Sequence, residues 1–106
     1  MTPLQPHLRV GKNHKAKYAL LPGDPQRIQR IAPYLEQVEE VAENREFKTI
    51  RGVYHGIDLL VTSTGIGGVS MGIVVEELKN IGVQTMIRVG SCGALQPHMR
   101  LGDMVV

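Results

Sequence analysis

Apolar positions along the chain fall into short runs punctuated by glycine and proline, and the spacing inside each run predicts an element. Lys17–Leu21 is a short apolar strand cut by Pro22. Gly23-Asp24-Pro25 then opens a helix running to about Leu35, with Asp24 as N-cap and Pro25 at the first helical position, where a missing N–H costs nothing. Ile28, Ile31 and Ala32 share one face of it. Val38–Val41 and Arg45–Val53 read as strands, His55-Gly56 as a hairpin turn and Ile57–Ser63 as the returning strand. Leu59-Leu60-Val61 is continuously apolar, which predicts burial on both faces. After the Gly65–Gly68 turn, Val69–Asn80 reads as a helix, with Ile73, Val74, Leu78 and Ile81 at helical spacing and Gly82 ending it. Gln84–Val89 is a further strand, followed by a second glycine-rich turn, Gly90–Gly93. Residues 1–16 are polar, carry two prolines and read as an arm, and Leu101–Val106 reads as a turn and the start of a strand.

Strand, glycine-rich turn, helix, strand, glycine-rich turn is a β-α-β unit with parallel strands. The expected class is therefore α/β, with a largely buried mixed sheet flanked by helices. In such sheets ligands bind beyond the carboxyl ends of the strands. The turns after Leu21, Ser63 and Val89 all lie at such ends, and although far apart in sequence they can meet on one edge of the sheet.

Composition narrows the function. The 106 residues suffice for one small domain, and 42% hydrophobic content supports a packed core. Twelve Lys+Arg against ten Asp+Glu leave a formal charge of +2, too weak a field to point to nucleic acid. A single cysteine, Cys92, excludes an internal disulfide framework. No stretch reaches membrane-spanning length, and the first residues lack a secretory pattern, so the expected compartment is the cytoplasm. Because the last apolar run is short for a strand, the sequence is expected to continue beyond Val106; a short edge strand closing a small domain is the alternative.

The candidate chemistry gathers at the turns. Gly23-Asp24-Pro25-Gln26-Arg27 offers helix-start N–H groups to an anion, with Arg27 one turn inside; it is equally the shape of an ordinary capped helix with a solvated arginine. Arg88 interrupts an apolar strand, and a buried arginine needs a partner. Gly23, Arg27, Arg88 and Ser91 would make a pocket for a tetrahedral oxyanion, phosphate above all; alternatively Arg88 pairs with a core carboxylate, Glu76 or Glu77. Gly65–Gly68 has neither dinucleotide-fingerprint spacing nor the Lys-Ser or Lys-Thr of a P-loop, and its glycines suit close passage beneath a small molecule. Cys92 reads as a small buried hydrophobe, Ser91 stands outside a Gly-x-Ser-x-Gly elbow, and His7, His14, His55 and His98 lack metal-ligand spacing. His55 reads as a turn residue, and Met71, Met86, Met99 and Met104 as packing.

The same stretches resemble the nucleoside phosphorylase family that includes uridine phosphorylase and the hexameric purine nucleoside phosphorylases. The matching pieces are Pro22–Pro25 with Arg27, Asn44–Phe47, Ser63–Gly68, Glu76–Leu78 and Ile87–Ala94, with Gln96–His98 and Gly102-Asp103 continuing the match. The resemblance implies a three-layer α-β-α fold of which residues 1–106 form the N-terminal portion of a single domain. It implies a phosphate site of Gly23, Arg27, Arg88 and Ser91, the two arginines acting on the reacting phosphate, with Ser91 also near the ribose. It implies that Arg45 is donated to the phosphate site across a dimer interface, and that His7 reaches the neighbour's ribose 5′-hydroxyl. Glu46, Ile66 and Ser70 stand where uridine phosphorylases bind a monovalent cation such as potassium between subunits. The implied reaction is reversible phosphorolysis of a ribonucleoside to base and ribose 1-phosphate, with phosphate as co-substrate and no organic cofactor. The implied partners are nucleoside and phosphate, not nucleic acid or membrane, within a homo-oligomer, a hexamer built as a trimer of dimers. Arg45-Glu46-Phe47 and Gln96-Pro97-His98 favour uridine, whereas Ser91-Cys92-Gly93 looks more like the purine enzymes. The family's base-reading residues and its ribose-holding Glu-Met-Glu segment fall beyond Val106, which leaves a purine nucleoside phosphorylase or a truncated, non-catalytic member as alternatives.

Overall fold

The computed structural model describes residues 3–14 and 16–106. Its strands are β1 (Tyr18–Pro22), β2 (Glu36–Asn44), β3 (Phe47–Tyr54), β4 (Ile57–Thr62) and β5 (Thr85–Val89). Its helices are α1 (Gln26–Ile31) and α2 (Gly68–Asn80), with a 3₁₀ turn at Ala32–Tyr34. The strands form one mixed sheet in the order β2-β3-β4-β1-β5. β1 lies between β4 and β5 and runs parallel to both, while β2-β3-β4 is an antiparallel meander.

Alternation along the strands sorts the side chains onto two faces. Ala19, Leu21, Phe47 and Leu60 pack with Val74 and Leu78 of α2 and with Ile81 just after it. Leu20, Ile50, Leu59 and Val61 pack on the opposite face against Ile28, Ile31 and Leu35. Helices thus cover both faces, which is the expected three-layer α-β-α arrangement. Leu59, Leu60 and Val61 are all buried because β4 is interior to the sheet and covered on both sides.

Several boundaries differ from expectation. The first helix ends at Ile31, not Leu35, and tightens into the 3₁₀ turn that contains Pro33. Asp24 nonetheless caps it as expected, its Oδ1 accepting from the Gln26 N–H at 2.8 Å. β2 is nine residues long rather than the four of Val38–Val41, and it is bulged. Its glutamates hide it in the sequence: Glu39, Glu40 and Glu43 are exposed on an edge strand, where charge discourages further pairing. Arg45 is not in a strand but in the two-residue turn joining β2 to β3, with a left-handed φ of 54°.

Residues 1–16 are not a polar arm. Leu8 and Val10 are fully buried against α2, and a loop closes through a Leu4–Gly11 bridge; Met1, Thr2 and Lys15 lie outside the described residues. Two apolar residues sufficed to anchor a segment whose average is polar. At the other end, Leu101-Gly102 turns as expected, but Met104–Val106 pair with no strand and Met104 is exposed, not packed. Among the described residues no helix is long and apolar enough to cross a membrane.

Gly52 and Gly72 should respond oppositely to alanine. A Cβ on Gly52 would lie 2.8 and 2.9 Å from Leu35 Cδ1 and Cβ, so Gly52→Ala should cost about 1–3 kcal/mol. Gly72, inside α2 with nothing within 4 Å, should gain roughly 0.5–1 kcal/mol as alanine. Urea-unfolding midpoints of the two variants, moving in opposite directions, check the fold on either face of the sheet.

Candidate functional site

β1, β4 and β5 are parallel, so their carboxyl ends lie on the same edge. Two backbone hydrogen bonds splice the first two loops together: Thr64 N–H to Pro22 C=O and Gly65 N–H to Gly23 C=O, each 2.9 Å. Arg88, on β5 beside Leu21 of β1, folds its guanidinium back over Gly90 and toward Gly23. A Cβ built on Gly23 would lie 3.1 Å from Arg88 Nη2, and one on Gly90 would overlap that guanidinium. Glycine at these two positions is what leaves room for the arginine.

The loops enclose a cavity of about 680 Å³ lined by Gly23, Asp24, Pro25, Arg27, Glu46, Gly65, Ile66, Ser70, Arg88, Gly90 and Ser91. The oxyanion-pocket residues expected from the sequence, Gly23, Arg27, Arg88 and Ser91, are all there. Arg27 Nη2 donates to Ser91 Oγ at 3.3 Å across the cavity mouth. The alternative partner for Arg88 is ruled out: Glu76 is exposed, and Glu77, though buried, is bonded to the N-terminal segment. Arg88 is itself exposed rather than buried, and neither arginine has a carboxylate ion-pair partner among the described residues. With α1 only six residues long, its dipole is a minor attraction beside two guanidinium charges.

The opposite wall is different in kind. Glu46, second residue of the β2–β3 turn, accepts from Ser70 Oγ through Oε1 at 3.2 Å. Ser70 Oγ also reaches the Thr64 carbonyl. Ser63 Oγ, fully buried, pins the turn by donating to the Glu46 carbonyl at 2.7 Å and accepting from the Lys48 N–H at 2.8 Å. Ile66 lines the same wall. Carboxylate and hydroxyl oxygens side by side are hard donors, of the type that suits a hard cation rather than a soft one.

Two expected residues stay outside this cavity. Arg45 is exposed in the same turn that sends Glu46 inward. His7 lies against α2, lining a separate apolar depression with Val69, Gly72 and Ile73. Cys92 is exposed, not the buried hydrophobe expected, because the Gly90–Gly93 segment runs over the surface beyond β5. The sequence reading missed the role of Glu77 as anchor of the N-terminal segment. A signal was present: Glu77 is four residues from both Ile73 and Ile81, a carboxylate inside an apolar stripe.

Comparison with known proteins identifies the family and the fold. Residues 17–106 match the family model described as the phosphorylase superfamily. A guanosine phosphorylase of Halorubrum lacusprofundi is 51% identical over 96% of the chain, and a uridine phosphorylase of Thermococcus kodakarensis is 46% identical over 97%. The chain spans 42% and 37% of the lengths of these two curated relatives. A crystal structure of uridine phosphorylase from Vibrio fischeri superposes with a TM-score of 0.92 at 47% identity, covering 94% of this chain and 42% of that one. A purine nucleoside phosphorylase from Toxoplasma gondii in complex with immucillin-H superposes at 0.90 with 38% identity, covering 94% and 41%.

Gly65 and Gly67 separate backbone strain from contact. Both have positive φ, 72° and 92°, but a Cβ on Gly65 would lie 2.9 Å from Ser70 Oγ, whereas Gly67 has nothing within 4 Å. Gly67, whose ψ of 163° places it in the extended positive-φ region that only glycine readily adopts, should as alanine cost that backbone strain alone, about 1–3 kcal/mol. Gly65→Ala should cost measurably more, read as a larger fall in the urea midpoint.

Proposed function

The chain belongs to the phosphorylase superfamily, and on that premise we propose that the complete protein catalyses reversible phosphorolysis of a ribonucleoside, releasing the free base and ribose 1-phosphate. The observation that carries this reading is the convergence of Arg27 and Arg88, from different elements and without carboxylate partners, on one cavity with Gly23 and Ser91. Phosphate held there is both nucleophile and counter-charge. As the glycosidic bond breaks, the ribose develops positive charge at C1′, and the phosphate beneath it stabilises that charge while an oxygen bonds to C1′. The arginines orient the phosphate and offset its charge; they transfer no proton. Ser91 contributes its hydroxyl at the edge shared by phosphate and ribose.

The remaining assignments belong to the assembled protein. Arg45 and His7 stand outside their own cavity, Arg45 exposed and the His7 side chain partly so, as residues lent to a neighbouring subunit would be. We read the assembly as a homo-oligomer of dimers, a hexamer, in which Glu46, Ile66 and Ser70 hold a monovalent cation that steadies the interface. The group's chemistry is purely electrostatic, and the residues fit it as oxygen donors. The free, exposed Cys92 suits a reducing compartment, in keeping with the cytoplasm. Uridine is the favoured substrate, supported by relatives named as uridine phosphorylases from several organisms. A purine nucleoside is the second reading, favoured by the 51% identity to a guanosine phosphorylase.

Uridine, thymidine, inosine, guanosine and adenosine, assayed with and without phosphate or arsenate, test the proposal on the complete protein. Base should be released only when the oxyanion is present; equal release without it would mean hydrolysis and overturn the reading. Arg88→Ala should slow turnover about a hundredfold, the loss of roughly 3 kcal/mol of transition-state stabilisation. Arg88→Lys should recover only part of that, because an ammonium lacks the planar fork.

A further inference from the structure

Among the described residues Glu77 is the only buried carboxylate, 5% exposed. A buried carboxylate is costly unless its oxygens are met by donors. These are met by the backbone of the N-terminal segment. Oε1 accepts from the His7 N–H at 2.6 Å, and Oε2 accepts from the Leu8 N–H at 3.3 Å. His7 Nδ1 lies 3.4 Å from Oε1. On the other side of the same residue, Asn44 Nδ2 donates to the His7 carbonyl at 2.8 Å. His7 is thus held at both its amide and its carbonyl, by α2 and by the residue that precedes Arg45.

Leu8 and Val10 already anchor this segment by burial, whereas an apolar residue at 77 would leave the His7 and Leu8 N–H groups without their acceptor. The carboxylate fixes the orientation of the His7 and Leu8 peptide planes, and with it the direction of the His7 Cα–Cβ bond, while its Oε1 lies 3.4 Å from the ring Nδ1 and so bears on the imidazole directly. We propose that Glu77 and Asn44 are positioning residues that aim the His7 side chain at the nucleoside of a neighbouring subunit. The inference rests on the functional reading above, in which His7 meets the ribose 5′-hydroxyl. It adds that the aim is set by a carboxylate and an amide that never touch substrate. The same bonds tie the segment to the turn carrying Arg45, so both lent side chains leave from one rigid patch.

A substrate without the 5′-hydroxyl separates this role from a merely structural one. The complete wild-type protein, His7→Ala, Asn44→Ala, Glu77→Gln and the His7→Ala/Asn44→Ala double variant are assayed at saturating phosphate. Each is given the nucleoside of the five-member panel that the wild type cleaves fastest, and the matching analogue lacking the 5′-hydroxyl. Asn44→Ala should raise KM for the 5′-hydroxylated substrate about tenfold with kcat nearly unchanged, and alter the 5′-deoxy substrate less than about twofold. Glu77→Gln, whose amide oxygen retains one of the two backbone contacts, should fall between wild type and His7→Ala. The double variant should be no worse than His7→Ala alone. Equal losses on both substrates, or additive losses in the double variant, would overturn the inference while leaving the phosphorylase reading intact. A wild type that cleaves neither substrate, or a His7→Ala variant that treats both alike, would instead remove the functional premise and the inference with it. Asn44 is only partly buried, so its variant also serves if Glu77→Gln fails to fold.

Discussion

The splice between the loops after β1 and β4 is the constraint on which the site depends. Two backbone bonds of 2.9 Å, Thr64 N–H to Pro22 C=O and Gly65 N–H to Gly23 C=O, continue the parallel pairing past the ends of the strands. They hold residues about forty positions apart in sequence within a few ångströms. Side-chain substitution cannot easily undo them, because they use only main-chain atoms. The cavity therefore has a floor whose shape is set by the sheet, and the side chains that line it inherit that register.

On that floor the charges are separated rather than paired. Arg27 and Arg88 face the cavity from the α1 and β5 side, while Glu46 is drawn off to Ser70 on the α2 side. Had Glu46 paired with either arginine, one of the two guanidinium groups would be engaged and fewer donors would face the cavity. The Ser63 hydroxyl, which fixes the Glu46 carbonyl, helps keep the carboxylate at its own wall. Bonds made within the cavity wall thus leave both guanidinium groups without a carboxylate partner among the described residues.

One two-residue turn faces two ways. Its left-handed first residue, Arg45, sends a cation outward, and its second, Glu46, lines the chain's own cavity. His7 is bound to the residue just before that turn through Asn44.

The sequence by itself determined the elements with strong periodicity and the turns with special chemistry. Continuous apolar Leu59–Val61, the Ile73-to-Ile81 stripe, the Asp24 cap and the His55-Gly56 turn were all legible, because each depends on residues within a turn or two of one another. The meeting of Gly23, Arg27, Arg88 and Ser91 also followed, since parallel strands with glycine-rich exits share an edge. Tertiary structure alone decided what depends on distant partners. The glutamate-rich β2 became a strand only because β3 was there to pair with it, and its charges are accommodated because, among the described residues, no strand pairs with its other edge. Leu8 and Val10 became core only because α2 offered an apolar face. Glu77 turned from a surface-type residue into a buried anchor because His7 and Leu8 brought two backbone N–H groups to it from some seventy residues away. Local spacing cannot encode such a match, since the cost of burying a charge is decided by donors that arrive from elsewhere in the fold.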